Sequence, residues 1–239
     1  MIYQTRAVVL RTVKYGETSL IVDMYTEQKG FQTFIVHSVR KARATTPASY
    51  LQVLSLVDMV AYHHDQKKIN HIKEIRLDHA YQSISFDMRK SSVITCLAEI
   101  TSKSIPTAYA QPDLFLFLHD SLVGYDDPAH FDRDFLIRFL VQLTQYLGFE
   151  MEIPPENPAG QFFDLMEGRI VSARPHHLYA VDASDLTDLK TILTLGSNAR
   201  ADISLETRRR IIDLIIVYYQ LHVETLKDVN SLRILRELL

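Results

Sequence analysis

One cysteine, Cys96, serves the whole 239-residue chain. A single thiol excludes an internal disulfide and any cysteine-built zinc site. It lies in the apolar-patterned stretch Val93–Ile100, so it reads as a small core residue rather than a catalytic thiol. Glycine is scarce too, with seven residues. Neither G-x-G-x-x-G nor G-x-x-x-x-G-K-[ST] occurs, so no conventional dinucleotide or nucleoside-triphosphate cradle is expected. G-x-S-x-G and H-E-x-x-H are missing as well. The pairs His63-His64 and His176-His177 place adjacent rings on opposite faces of an extended chain, a poor geometry for one ion. The sequence therefore reads as a non-enzyme, with no catalytic residue, metal, cofactor or small-molecule substrate expected. No apolar run reaches the roughly 18 residues of a membrane span. The N-terminus reads as a strand rather than a cleaved leader, so a cytoplasmic location is expected.

What is present is a division of charge. The net charge is −3, but residues 1–78 hold eleven Lys/Arg against seven Asp/Glu, or +4, and the remainder carries −7. A basic first third on an acidic remainder points to a polyanion partner for one end.

The same division appears in the hydrophobic periodicity. Residues 1–79 read as about five short strands. Val8, Leu10 and Thr12 alternate with Val9, Arg11 and Val13, and Leu20, Val22 and Met24 with Ile21, Asp23 and Tyr25. Glu27-Gln-Lys-Gly30 supplies a turn, Phe31–Val36 resumes the extended pattern, and Leu51–Tyr62 and Ile69–Leu77 complete it. Such spacing predicts a small closed or partly closed barrel. Arg40–Ser49 is polar, basic and broken by Pro47, which predicts an exposed loop.

Residues 80–239 turn to a helical period, giving the α+β class. Helices are expected over Ser91–Ser104, Leu114–Leu122, Phe131–Phe149, Asp185–Leu195, from an N-cap at Ser204 to about Leu226, and over Leu232–Leu239. Between them lies an irregular insert at about 152–183, with a proline-rich start and a possible hairpin at Glu167-Gly168.

Arg40-Lys41-Ala42-Arg43 sets three cations on the expected loop, the composition that grips a phosphate backbone. Arg11 and Lys14 on the first strand and Lys67-Lys68 on the last hairpin are further candidates. Tyr15, Phe31, Phe34, Tyr50 and Tyr62 are candidate base-stacking rings. In the helical part, Arg208-Arg209-Arg210 is either a salt-bridged surface or a contact for phosphates or an acidic segment.

The order and spacing of Ala7-Val-Val-Leu-Arg-Thr12, Tyr15-Gly-Glu17, Thr26-Glu-x-x-Gly30, Val39-Arg-Lys41 and Leu51-Gln52 resemble RecO, the bacterial recombination-mediator family. Phe162-Phe-Asp-Leu-Met-Glu-Gly168 extends the resemblance into the second half. It implies an OB-fold barrel at residues 1–79 and a helical domain at 80–239. It also implies binding of single- and double-stranded DNA, annealing, and, with RecR, loading of RecA onto DNA coated by single-stranded DNA-binding protein. A nucleoid-associated location follows. Many family members hold a four-cysteine zinc module where this chain has no cysteine, which implies a zinc-free insert held by Phe162, Phe163, Leu165, Ile170 and Tyr179. By position, Arg11, Lys14, Arg40, Lys41, Arg43, Lys67 and Lys68 become the DNA contacts. Arg133 or Arg138, with Arg208 and Arg209, become candidates for a partner such as the acidic tail of single-stranded DNA-binding protein. The alternative is a protein–protein adaptor of the repair complex that touches DNA little.

Overall fold

The computed structural model describes residues 1–39, 46–62, 69–105, 110–154, 158–196 and 201–238. The chain divides into two compact units, Met1–Ala129 and His130–Leu239.

In the first unit, β1 (Ile2–Tyr15), β2 (Ser19–Thr26), β3 (Gly30–Val36), β4 (Leu56–Tyr62) and β5 (Asn70–His79) close into a barrel in the order β1-β2-β3-β5-β4. β3 and β5 pair in parallel and the other neighbours antiparallel. Alternation sends Ala7, Val9, Val22, Met24, Phe34 and Met59 inward to a common core. Val8 and Leu10 face the other way yet are buried as well, because the helices of this unit pack over β1. Burial on both faces explains why Ala7–Leu10 is apolar without interruption. A bulge at Leu10 breaks the β1–β2 register between Val9 and Arg11. Gly30 takes φ 62° at the β2–β3 turn, as the Glu27–Gly30 pattern predicts.

β4 is shorter than its apolar sequence suggests. Ala48–Leu51 forms a 3-10 turn and Leu54 adopts φ 60°, donating its N–H to the Val9 carbonyl at 2.6 Å. Leu51 and Leu54 are buried, so burial rather than strand pairing accounts for the apolar residues before Leu56.

α1 (Met88–Ser104) and α2 (Pro112–Tyr125) belong to the same unit as the barrel, which therefore extends past the strand end at His79. A buried carboxylate ties them together. Asp126, just after α2, accepts the backbone N–H of Gln82, Ser83 and Ile84 at 2.7–3.0 Å, the Ser83 hydroxyl at 3.1 Å, and sits 3.0 Å from His79 Nε2. Burial pushes its pKa up, but these hydrogen bonds outweigh it and hold the group below the usual carboxylate range. Lys90 on α1 is buried beside it and donates to Ser83 Oγ at 2.8 Å.

The second unit contains α3 (Phe135–Leu147), β6 (Phe162–Asp164), β7 (Arg169–Val171), β8 (Ala180–Asp182), α4 (Thr187–Leu195), α5 (Leu205–His222) and α6 (Asn230–Leu238). α3 starts four residues later than Phe131, and α5 ends at His222 rather than near Leu226. Ser204 caps α5 by accepting the Thr207 N–H at 3.1 Å. The insert is a small antiparallel sheet of order β7-β6-β8. Phe163 and Leu165 are buried beneath it, whereas Tyr179 is exposed and Phe162 and Ile170 are half-buried. Asp164 contributes instead, accepting the Met166 N–H at 2.8 Å and lying 3.3 Å from His177 Nε2. Among the described residues, no helix is long and apolar enough to cross a membrane.

Candidate nucleic-acid interface

Strand register decides which side chains share a face. Arg11 is the partner of Asp23 on the outward face of β1 and β2, whereas Lys14 is the partner of the core residue Leu20 and so has the opposite parity. Both are exposed, and Arg11 lies 3.9 Å from Asp23 with its side chain 64% exposed. The two candidates on β1 thus do not share one face.

Strand ends form a rim that runs obliquely across β1, β2, β3, β5 and β4, from Tyr15 at the end of β1 to Tyr62, the partner of Ile2 at its start. Tyr15 pairs with Ser19 across the β1–β2 turn, and the Ser19 Oγ lies 3.1 Å from His37 Nδ1 just beyond β3. The His37 ring faces the His71 ring on β5 with centroids 5.8 Å apart, and His71 is the partner of Tyr62 at the end of β4. Two basic segments adjoin this rim in sequence. Residues 40–45, with Arg40, Lys41 and Arg43, follow Val39, and residues 63–68, with Lys67 and Lys68, follow Tyr62. Both segments lie outside the described residues. In OB-fold barrels the β1–β2 and β4–β5 loops and the β2–β3 face contact oligonucleotides.

The opposite end of the unit is acidic. Glu27, Asp78 and Asp120 lie there, with Arg6 bound to Glu27 at 2.8 Å and His119 to Asp78 at 2.7 Å. The Arg6 hydrogen bonds hold the Glu27 carboxyl below its usual range. A groove of about 650 Å³ on β4 and β5 is charge-balanced. Arg76 donates to Asp58 at 2.6 Å, Gln4 donates to it at 3.1 Å, and Lys73 sits 3.3 Å from Glu74. Paired groups of both signs give a polyanion no net attraction there. The described part of residues 1–78 holds six Lys/Arg and six Asp/Glu, so the whole +4 excess belongs to segments 40–45 and 63–68.

Of the candidate rings, Tyr15 is 55% exposed, Phe31, Tyr50 and Tyr62 are half-buried, and Phe34 is sealed in the core, which removes it as a stacking platform. His37 and His71 were not among the candidates. Their proximity depends on the parallel β3–β5 pairing, which local periodicity does not reveal.

The arginines of the second unit fall into two groups. Arg138 is buried and paired with Asp132. Arg208 donates to both Asp134 oxygens, at 2.7 and 3.1 Å, and to the Ala201 carbonyl, and its pKa is raised by that carboxylate. Arg133, Arg209 and Arg210 are exposed. Arg210 and Asp185 border a cleft of about 200 Å³ floored by Val181, Leu186, Ile211 and Leu214.

Residues 1–81 match the family described as Recombination protein O N terminal, and residues 85–231 match Recombination protein O C terminal. The chain belongs to the RecO family. DNA repair protein RecO of Christiangramia forsetii is 29% identical over 241 residues, covering 100% of this chain and 99% of the relative. DNA repair protein RecO of Bacteroides fragilis is 29% identical with the same coverage, and that of Flavobacterium johnsoniae 28% identical with 98% of each covered. The RecO N-terminal match ends two residues past β5, so it spans the barrel, while the RecO C-terminal match takes in α1, α2 and the second unit up to the start of α6.

Proposed function

We propose that this RecO-family protein is a DNA-binding recombination mediator. On this reading it binds single- and double-stranded DNA, anneals complementary strands, and with RecR loads RecA onto DNA coated by single-stranded DNA-binding protein, in the cytoplasm at the nucleoid. The observation that carries the reading is the placement of charge. The first unit's excess cations belong to two segments that follow Val39 and Tyr62 in sequence, and the rest of residues 1–78 is charge-neutral. Arg40, Lys41, Arg43, Lys67 and Lys68 are the main phosphate contacts, with Arg11 and Lys14 beside them.

In the second unit, an acidic tail with an apolar end needs an apolar floor and a cation. The cleft beneath Arg210 has both, and Arg133 and Arg209 are exposed elsewhere on the same unit. Arg138 and Arg208 are occupied by their own carboxylates.

Fluorescence anisotropy with labelled single- and double-stranded oligonucleotides tests the DNA reading. Binding weakens by an order of magnitude or more between about 50 and 200 mM salt if several phosphates are contacted. No binding of either form at low salt overturns it. The adaptor alternative draws support from the balanced charge of the described barrel residues. It predicts DNA retention only once the partner protein is added.

A further inference from the structure

The rim carries rings that the fold does not use. Tyr15, His37, His71 and Tyr62 sit at the ends of four strands with outward parity, in line with Ser19 on β2. His37 and His71 are exposed, and neither contributes to the barrel core. Their planes are inclined by only 27° at 5.8 Å, and the Ser19 hydroxyl, 3.1 Å from Nδ1, orients the His37 ring. That hydrogen bond leaves the His37 Nε2 edge available to a base or a phosphate. An exposed, oriented pair of flat rings is a surface on which an unstacked base can lie.

We propose that the His37–His71 stack is the base-stacking platform of the barrel, and that it selects single-stranded over double-stranded DNA. The proposal rests on the DNA-binding reading above. Phosphate contacts from Arg40–Arg43 and Lys67–Lys68 serve both forms of DNA alike. The ring pair serves only a strand whose bases are free, because duplex bases are already stacked on their neighbours. Tyr15 and Tyr62 extend the platform along the strand path on either side.

The test uses the full chain with a thymidine oligonucleotide carrying one 2-aminopurine, and a duplex of the same length. The wild type binds both and quenches the probe in the single strand. His37→Ala with His71→Ala weakens single-strand binding by roughly tenfold or more, the scale of losing one stacked base, changes duplex binding by less than about twofold, and abolishes the quench. His37→Phe with His71→Phe restores single-strand binding and quenching, since a phenyl ring keeps the π face. Equal losses for both DNA forms, or failure of the Phe variant to restore binding, overturn the platform while leaving the DNA-binding reading standing. Binding of neither form by the wild type at low salt overturns that reading itself.

Discussion

Two ion pairs from each of the two units show arginine used in opposite ways. In the first, Arg11 and Arg76 keep 64% and 75% of their side chains in water and reach a carboxylate across a strand. In the second, Arg138 and Arg208 are 11% exposed, each fixed to an aspartate. A buried guanidinium paired in this way cannot be withdrawn for a partner without stranding its carboxylate. An exposed one on a strand face gives up little to change partners. The buried arginines therefore serve the packing of the helical unit, whereas the exposed pair on the barrel keeps its charge in water.

The largest effect is expected where the comparison is sharpest. Arg208→Ala leaves the Asp134 carboxyl, 6% exposed, without its guanidinium, and should destabilise the second unit by about 3–5 kcal/mol in urea melts. Arg208→Lys should recover only part of this, because an ammonium cannot repeat the two-pronged contact. A loss under about 1 kcal/mol would show that the pair is not structural.

The first unit has a buried carboxylate of its own, satisfied mainly by backbone donors rather than by a cation. Asp126→Asn should cost about 1–3 kcal/mol near neutral pH, since an amide cannot accept from every N–H now served. The pH dependence has a definite sign. Asp126 is held below its ordinary pKa in the folded state, so its contribution is present above the ordinary carboxylate value and is lost as pH falls through the depressed one. The gap between wild type and Asp126→Asn should therefore narrow from pH 7 to pH 3, and a gap that widens on acidification would contradict the assignment.

Next in size is the loss of charge in residues 40–43. Arg40→Ala, Lys41→Ala and Arg43→Ala together should weaken binding to both forms of DNA by about 10- to 100-fold near 0.1 M salt. The slope of log affinity against log salt should fall by about two to three, as befits three lost phosphate contacts. Melting should not change. A loss confined to one sequence would mean base readout instead.

The barrel was readable in the sequence because its strands alternate and its turns carry Gly and polar residues in order. The α1, α3 and α5 stripes were readable for the corresponding reason at the helical period. What escaped was whatever depends on contacts distant in sequence. Leu51 and Leu54 look like strand residues because they are buried, but Leu54 packs beside the β1 bulge in a left-handed conformation. Asp126 looks like a helix breaker, and its role as an acceptor for residues 82–84 emerges only when β5 and α2 come together. Arg208 sits in a run of three arginines that resembles a surface patch, and only the fold brings Asp134 to it. The rim histidines were missed because His37 and His71 meet through a parallel pairing between strands separated by a long connection. The basic segments were visible as composition, and the strand order adds that they follow, in sequence, the two strands that flank β5.

The smallest effect tests how far the interface extends from that rim. Arg11 lies 3.9 Å from Asp23 on the outward face of β1 and β2 and is largely in water. Arg11→Ala should therefore change stability by no more than about 0.5 kcal/mol. If DNA crosses this face, the same change should reduce the salt slope by about 0.9 and weaken binding a few-fold. Asp23→Asn should act in the opposite direction. It removes a negative charge from the DNA path while keeping an acceptor for the Thr33 hydroxyl, which lies 2.7 Å from the carboxylate. Opposite shifts of similar size would extend the interface from the rim across β1 and β2. If neither variant moves the affinity, the strand face lies outside the interface, and the two basic segments and the rim carry binding without it.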